Sequence, residues 1–343
     1  MKKISFFLAA TLFITAAHAK IWRVNNIAGI VADFTTVQAA HDGAAAGDTI
    51  HLEPSNTSYG NLSMTKKLHI VSTGQFVPNN PGFQQDIKMG FVSSVTINNA
   101  AANGSILSIR FNNTFSINGA AVANISLLNC ASALAEDGCT GHVAERNGVL
   151  EIVNADNIIV KGSWFAGIAV SGNAQNILIT NNIVGNRIMV QDQSSATISN
   201  NVIYAISNGS CSSAGATIVN SQFTNNIFLK GMEGGSNTSG SSFQNNFNAN
   251  NLLPAGNGNV NNIDMTTVFV NANGGFVDNV YQLKVGSPAI AAGLNGENLG
   301  AFGGTNPFRL AVTPAVPSIY KLVVPTTPSG SSMNIIFSTR SNN

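Results

Sequence analysis

Charge is scarce in this chain: only 9% of its 343 residues are Asp, Glu, Lys or Arg, with 16 basic residues against 15 acidic ones. Without Lys2 and Lys3, 14 basic residues face 15 acidic ones, a formal charge of −1. Nothing in that balance draws in nucleic acid or an anionic membrane by long-range attraction, so any partner is gripped locally. Cysteine is scarce as well. The three cysteines, Cys130, Cys139 and Cys211, form no CxxC pair and make a poor zinc site. In an oxidising compartment a bridge between Cys130 and Cys139 would close a small loop and leave Cys211 free. Long apolar runs are missing beyond the N-terminus, so no transmembrane segment is expected.

The N-terminus itself is distinctive. Lys2 and Lys3 precede an apolar run over residues 4–16, and Ala17-His18-Ala19 has the small-x-small pattern of a cleavage site. The segment reads as a secretory signal peptide over 1–19, with the mature chain beginning near Lys20. The run is shorter than the ~20 residues a spanning helix needs, which disfavours a membrane anchor. The product is expected to be secreted or associated with the cell surface.

What the chain has in quantity is Asn, Ser, Thr and Gly, a composition suited to strands and tight turns. One pattern recurs: an apolar strand followed by adjacent asparagines. It appears as Ile177-Leu178-Ile179-Thr180-Asn181-Asn182, Ala196-Thr197-Ile198-Ser199-Asn200-Asn201 and Ser221-Gln222-Phe223-Thr224-Asn225-Asn226, with a weaker copy ending in Asn245-Asn246. Ile158-Ile159-Val160-Lys161-Gly162-Ser163 keeps the strand without the amides, and Asn124-Ile125-Ser126-Leu127-Leu128-Asn129 fits the template farther upstream. Equivalent starts at Asn157, Asn176, Ser195, Asn220 and Gly240 are 19, 19, 25 and 20 residues apart. Such steps suit coils whose loops vary in length.

Alignment of the copies places Val160, Ile179, Ile198, Phe223 and Phe243 in one column and Trp164, Ile183, Val202, Ile227 and Phe247 in a second. Stacked coils would put both columns indoors, pair strands in parallel and let the Asn amides bond from coil to coil. Asn also tolerates the left-handed backbone of a sharp turn, so a structural role outweighs ligand binding for these residues. At about 20 to 25 residues per coil, the chain makes on the order of ten to twelve coils and a rod roughly 50 Å long.

The rod needs caps. Residues 34–43 read as a short amphipathic helix begun by Asp33 or Thr35, followed by a turn into a strand at Gly47-Asp48-Thr49-Ile50-His51-Leu52. That helix ending in Gln38-Ala39-Ala40, the Gly47-Asp48-Thr49-Ile50 turn, Tyr59 and Leu68-His69-Ile70 resemble the opening of secreted right-handed parallel β-helix proteins of the pectate-lyase-like superfamily. Gly286-Ser287-Pro288-Ala289-Ile290-Ala291-Ala292-Gly293, with Asn298-Leu299-Gly300-Ala301-Phe302-Gly303, resembles the ending of the same group. Ala291 and Asn298 stand where that group commonly has Asp.

The resemblance implies an all-β chain: a single-stranded right-handed parallel β-helix over 20–305 with an N-terminal capping helix. A proline-rich tail over 306–343 would supply a C-terminal capping strand within 331–340, with a surface-sorting signal as the alternative. Lyases of this fold use carboxylate clusters for calcium and an Arg or Lys as base, and its hydrolases use two or three acids. The coils over 157–250 carry only Asp192 and Glu233 as acids, with Lys161, Arg187 and Lys230 as bases. No cofactor or metal is expected, with calcium left open.

The densest ionisable group lies in an insertion containing Glu136, Asp137, His142, Glu145 and Arg146, with Glu151 close behind. Glu145 or Glu151 could remove a proton while Arg146 neutralises a sugar carboxylate, although a solvated loop is the plainer reading. His41, His51 and His69 are scattered. Trp164, Tyr204 and Phe228 would stack on sugar rings only if they faced outward, and burial is expected for Trp164. The reading favoured by the sequence is an exported non-catalytic β-helix that binds polysaccharide or acts structurally. The alternative is a polysaccharide lyase or glycoside hydrolase with its site near 136–151. Flat outward Thr rows, as an ice- or mineral-binding face requires, are interrupted at Lys161, Ser199 and Gln244.

Overall fold

The computed structural model describes residues 19–341 apart from 81, 84, 85, 87, 133–147, 186, 204–217, 230–237, 273–276, 315 and 328–330. The expected signal peptide therefore lies outside the described residues, save Ala19. So do the insertion, Cys139, Tyr204 and Cys211.

Among the described residues, the strands gather into parallel sheets of ten, eight and six strands, plus a two-stranded antiparallel pair. Each regular coil contributes a strand to each parallel sheet in turn. Ile159–Lys161 lies in the first, Trp164–Phe165 in the second and Gly167–Ser171 in the third, before Ile177–Thr180 returns to the first beside Ile159–Lys161. This is an all-β parallel β-helix. The ten-stranded sheet runs from Ile21–Val24 to Ser242–Gln244, and its register follows the repeat: Leu127 pairs with Val160, then Ile179, Ile198, Phe223 and Phe243.

That first column faces the lumen. Leu127, Val160, Ile179 and Ile198 have no exposed surface, and the Phe223 and Phe243 rings stack with centroids 4.8 Å apart and planes at 11°. From the second sheet Phe111, Phe165, Val184, Ile203 and Phe228 enter the same core, and from the third Phe115, Leu150, Ile168 and Ile188 do so. Each buried aliphatic or aromatic side chain contributes roughly 1.5–3 kcal/mol relative to exposure, which offsets much of the ordering cost of short strands.

The second column has the expected register, Trp164 with Ile183, Val202, Ile227 and Phe247. It is buried, but not indoors. Successive strand residues point to opposite faces, and in this sheet the following residues, Phe165, Val184, Ile203 and Phe228, take the lumen. The column instead joins a separate cluster outside the rod with Phe269, Tyr281, Leu299, Ala301, Phe308 and Val312. A strap formed by residues 263–272 and 277–313 thus covers the outer face of the second sheet.

The Asn pairs explain how both layers are held. The second Asn of each pair is buried and builds a ladder: Asn182 Nδ2 donates to Asn201 Oδ1 (3.1 Å), Asn201 to Asn226 (2.9 Å), Asn226 to Asn246 (3.0 Å) and Asn246 to Asn259 (3.1 Å). Ser163 extends the ladder upstream, its N–H donating to Asn182 Oδ1 and its Oγ accepting from Cys130 N. The first Asn takes the left-handed turn, with φ of 55°, 53°, 59° and 51° at Asn181, Asn200, Asn225 and Asn245. Gly162 takes that place in its coil, with φ 62°.

Two ends complete the molecule. The helix Val37–Gly43 buries Val37 and Ala40 against the first coils, and its N-cap is Thr36 rather than Asp33 or Thr35. Thr36 Oγ1 accepts from Ala39 N at 3.3 Å, while Asp33 accepts from Arg23 N at 2.8 Å. The strand expected within 331–340 is present as Ile336–Arg340, and it pairs antiparallel with Ser318–Val323. The pair is tied to the body by Ser318 Oγ donating to Phe83 O (2.7 Å) and Arg340 Nη1 donating to Gly82 O (3.0 Å). No helix of the described residues is long and apolar enough to cross a membrane.

Candidate functional site

The outward side chains of the first sheet form two rows. Strand register aligns Lys161, Thr180, Ser199, Thr224 and Gln244 in one and Ile159, Leu178, Thr197, Gln222 and Ser242 in the other. Neighbours along a row are ~4.7–4.9 Å apart, the spacing of the strands themselves. Thr197, Gln222, Ser242 and Gln244 are exposed, while Thr180, Ser199 and Thr224 are half-buried. Ser199 Oγ donates to Thr180 Oγ1 (3.1 Å), which in turn donates to Asn181 Oδ1 (3.0 Å). The hydroxyls thereby have a preferred direction set by the turn amides. A positive charge marks one end, where burial and then repulsion from Arg309 push the Lys161 ammonium below its usual range.

Glu136, Asp137, His142, Glu145 and Arg146 all lie outside the described residues. Glu151 is on the strand Val149–Val153 of the third sheet, paired with Ser116 on one side and Ala169 on the other. In sequence the insertion falls between the strand Ala131–Ser132 of the second sheet and Val149–Val153 of the third. The hydroxyl rows are on the first. Cys130 is a fully buried free thiol, its Sγ 3.5 Å from the carbonyl oxygens of Ile106 and Leu128, and burial pushes its pKa up to about 12. Its expected partner Cys139 is outside the described residues.

The other singled-out residues are structural where they are described. Trp164 and Phe228 are each 3% exposed, closed to a sugar ring. His41 Nε2 accepts from Thr65 N (3.0 Å) while Nδ1 faces Asp42 (2.8 Å), tying the capping helix to the end of the strand Leu62–Met64. His69 Nδ1 meets Ser105 Oγ at 2.8 Å. Burial pulls the half-buried His51 below its usual range. Among the described residues no three of His, Cys, Asp and Glu gather as cation ligands.

One group escaped the sequence reading. Arg110 continues the outward column of the second sheet, paired with Ala131 and Phe91 and lying over the Phe91 ring at 5.5 Å. Its Nε is buried without a hydrogen-bond partner, and burial pulls its pKa down. Asn112 Oδ1 and Gln75 Oε1 are likewise buried without partners among the described residues. A basic residue inside the apolar stretch Ile106-Leu107-Ser108-Ile109-Arg110-Phe111 was the available clue.

No family model matches the chain, and no curated protein matches it. Among solved structures it is similar to pectate lyase Pel9A, at 14% identity with a TM-score of 0.37 over 82% of this chain and 96% of that one. The assignment as an all-β parallel β-helix rests on the chain's own sheets.

Proposed function

We propose that the protein is an exported, non-catalytic β-helix of the pectate-lyase-like group that binds polysaccharide along the outward rows of its first sheet. The observation that carries this reading is the run of neutral donors and acceptors at strand spacing, Thr180, Ser199, Thr224 and Gln244 beside Thr197, Gln222 and Ser242. Hydroxyls and amides on a rigid sheet match the hydroxyls of a sugar chain with little loss of freedom on binding. The test is calorimetric titration with soluble neutral and acidic polysaccharides. A neutral glycan should bind, and Gln222→Glu with Thr197→Glu should weaken it by at least roughly tenfold (about 1.4 kcal/mol). Equal affinity of the double variant, or no affinity for any polymer, would sink the reading.

A second reading is favoured by Glu151, which projects from the third sheet close to where the insertion returns. It assigns lyase or hydrolase chemistry to Glu151, Glu145, Arg146 and His142. Unsaturated or reducing ends released from one polymer, with and without calcium, and lost in Glu151→Gln or Arg146→Ala, would replace the first reading with this one.

A further inference from the structure

Register sets Ile21 against Thr49 at the first rung of the ten-stranded sheet, which brings Lys20 beside Asp48. Asp48 is buried, at 5% exposure, and its oxygens are unevenly used. Oδ2 accepts from the Trp22 indole (2.8 Å) and Ala45 N (2.9 Å), whereas Oδ1 accepts the Lys20 backbone nitrogen at 2.9 Å. The Lys20 carbonyl is held by Thr49 N (2.8 Å), and its Nζ lies 3.2 Å from the Trp22 ring centroid. Ala19 and Lys20 are both exposed, directly after the small-x-small sequence Ala17-His18-Ala19. A buried carboxylate thus points at the one backbone nitrogen that a cut after Ala19 would turn into an ammonium.

We infer that cleavage between Ala19 and Lys20 creates an α-ammonium captured by Asp48, so that processing itself locks the first strand onto the rod. The inference rests on the export reading for its cleavage step. Hydrolysis of the Ala19–Lys20 amide by an export peptidase consumes one water. The water oxygen goes to the new Ala19 carboxylate, and the Lys20 nitrogen leaves as an amine that takes up a proton. Before the cut that nitrogen offers Asp48 one neutral N–H. Afterwards it offers three N–H bonds and a full positive charge, and charge-assisted bonds of this kind are roughly twice as strong as neutral ones. In the uncut chain the first coil is held without that charge-assisted bond.

The test uses the full chain trimmed in vitro to begin at Lys20, compared with the same chain carrying a Gly-Ser extension before Lys20, each with Asp48 or Asp48→Asn. The Lys20-start protein should melt roughly 2 °C or more above the extended one. That gap should close in the Asp48→Asn pair. If Asp48→Asn fails to fold, salt provides the second measurement, because the gap should shrink at about 1 M NaCl where charge is screened. Intact mass of exported protein should correspond to a start at Lys20. Equal melting of the two start forms, a gap unchanged by salt, or a mature mass beginning elsewhere would overturn the lock. Retention of the protein inside the cell would overturn export and the cleavage step, while the trimmed pair still reads the Asp48 contact by itself.

Discussion

Asn226 shows how much one side chain can carry. Its Nδ2 donates to Ile198 O (2.8 Å), Thr224 O (3.2 Å) and Asn246 Oδ1 (3.0 Å), and its Oδ1 accepts both the backbone and side-chain nitrogens of Asn201 (2.9 Å each). Asn226→Ala leaves the buried Asn201 backbone N–H unmatched and takes a donor from Ile198 O and Asn246 Oδ1, while Asn201 Nδ2 keeps Ile179 O and Ser199 O, so urea unfolding should show a loss of about 2–4 kcal/mol. Arg110 is the opposite case. Its buried Nε has no acceptor among the described residues, so Arg110→Met should leave stability unchanged or raise it by up to about 1 kcal/mol in the same assay. Asp278 makes stability depend on pH: burial pushes its carboxyl above the usual range while Ala311 N and Asn80 Nδ2 donate to it. A raised folded value contributes stability below the unfolded value near 3.9 and loses it as pH rises through the folded value. The unfolding free energy of the wild type minus that of Asp278→Asn should therefore fall as pH rises above about 4. That the Asn pairs form turns was legible from residue type. Which amide of each pair points inward was not, because both tolerate the same backbone and only the stacked coils distinguish them.

The strap is the element that links the two Asn roles. Ala292 O receives Asn245 Nδ2, Leu294 N donates to Asn225 Oδ1, Asn298 O receives Asn200 Nδ2, Ala301 and Gly303 oxygens receive Asn181 Nδ2, and Thr313 O receives Asn129 Nδ2. The strap therefore runs against the direction of coil addition, seated at each step by an amide that the ladder does not need. At Gly162 the coil has no such amide, and the strap has no anchor between Gly303 and Thr313 on this column. Asn225→Gly keeps the left-handed turn and removes two seats, those for Leu294 N and Glu297 Oε2. Limited proteolysis within 290–300 should accelerate while global stability falls by only about 1 kcal/mol. Within the strap, Ala291 and Asn298, where Asp is common in the resembled group, bond to each other through Ala291 N and Asn298 Oδ1 at 3.0 Å. The register of the second column was legible from the repeat, but its outward direction was not, since a stacked apolar column is the same pattern whichever side is covered. What covers it lies 22 to 65 residues beyond Phe247, in a segment with no repeat of its own.

At the scale of the whole molecule, the rod carries two hydrophobic layers, the lumen and the strapped face. A chain ending at residue 262 would keep the lumen and uncover Trp164, Ile183, Val202, Ile227 and Phe247 as a continuous apolar stripe. It should bind a hydrophobic dye strongly and elute as oligomers, whereas the full chain should do neither through this face. Rod architecture, coil spacing and strand register were legible because they repeat, and repetition multiplies a weak local pattern. The hydroxyl rows were legible only as interrupted Thr columns, and the placement of Glu151 on a different face from those rows required the three-sheet geometry.

A stack of coils in which each touches only its neighbours can come apart one coil at a time from an open end. The strap changes that, because it crosses the outside from Asn245 to Asn129 and binds coils that are far apart in the stack. Pulled from its C-terminus, such a rod would shed the strap in discrete jerks, one amide seat after another, before any coil yielded. The molecule is a bound sheaf rather than a zipper, and its mechanical strength resides in the binding.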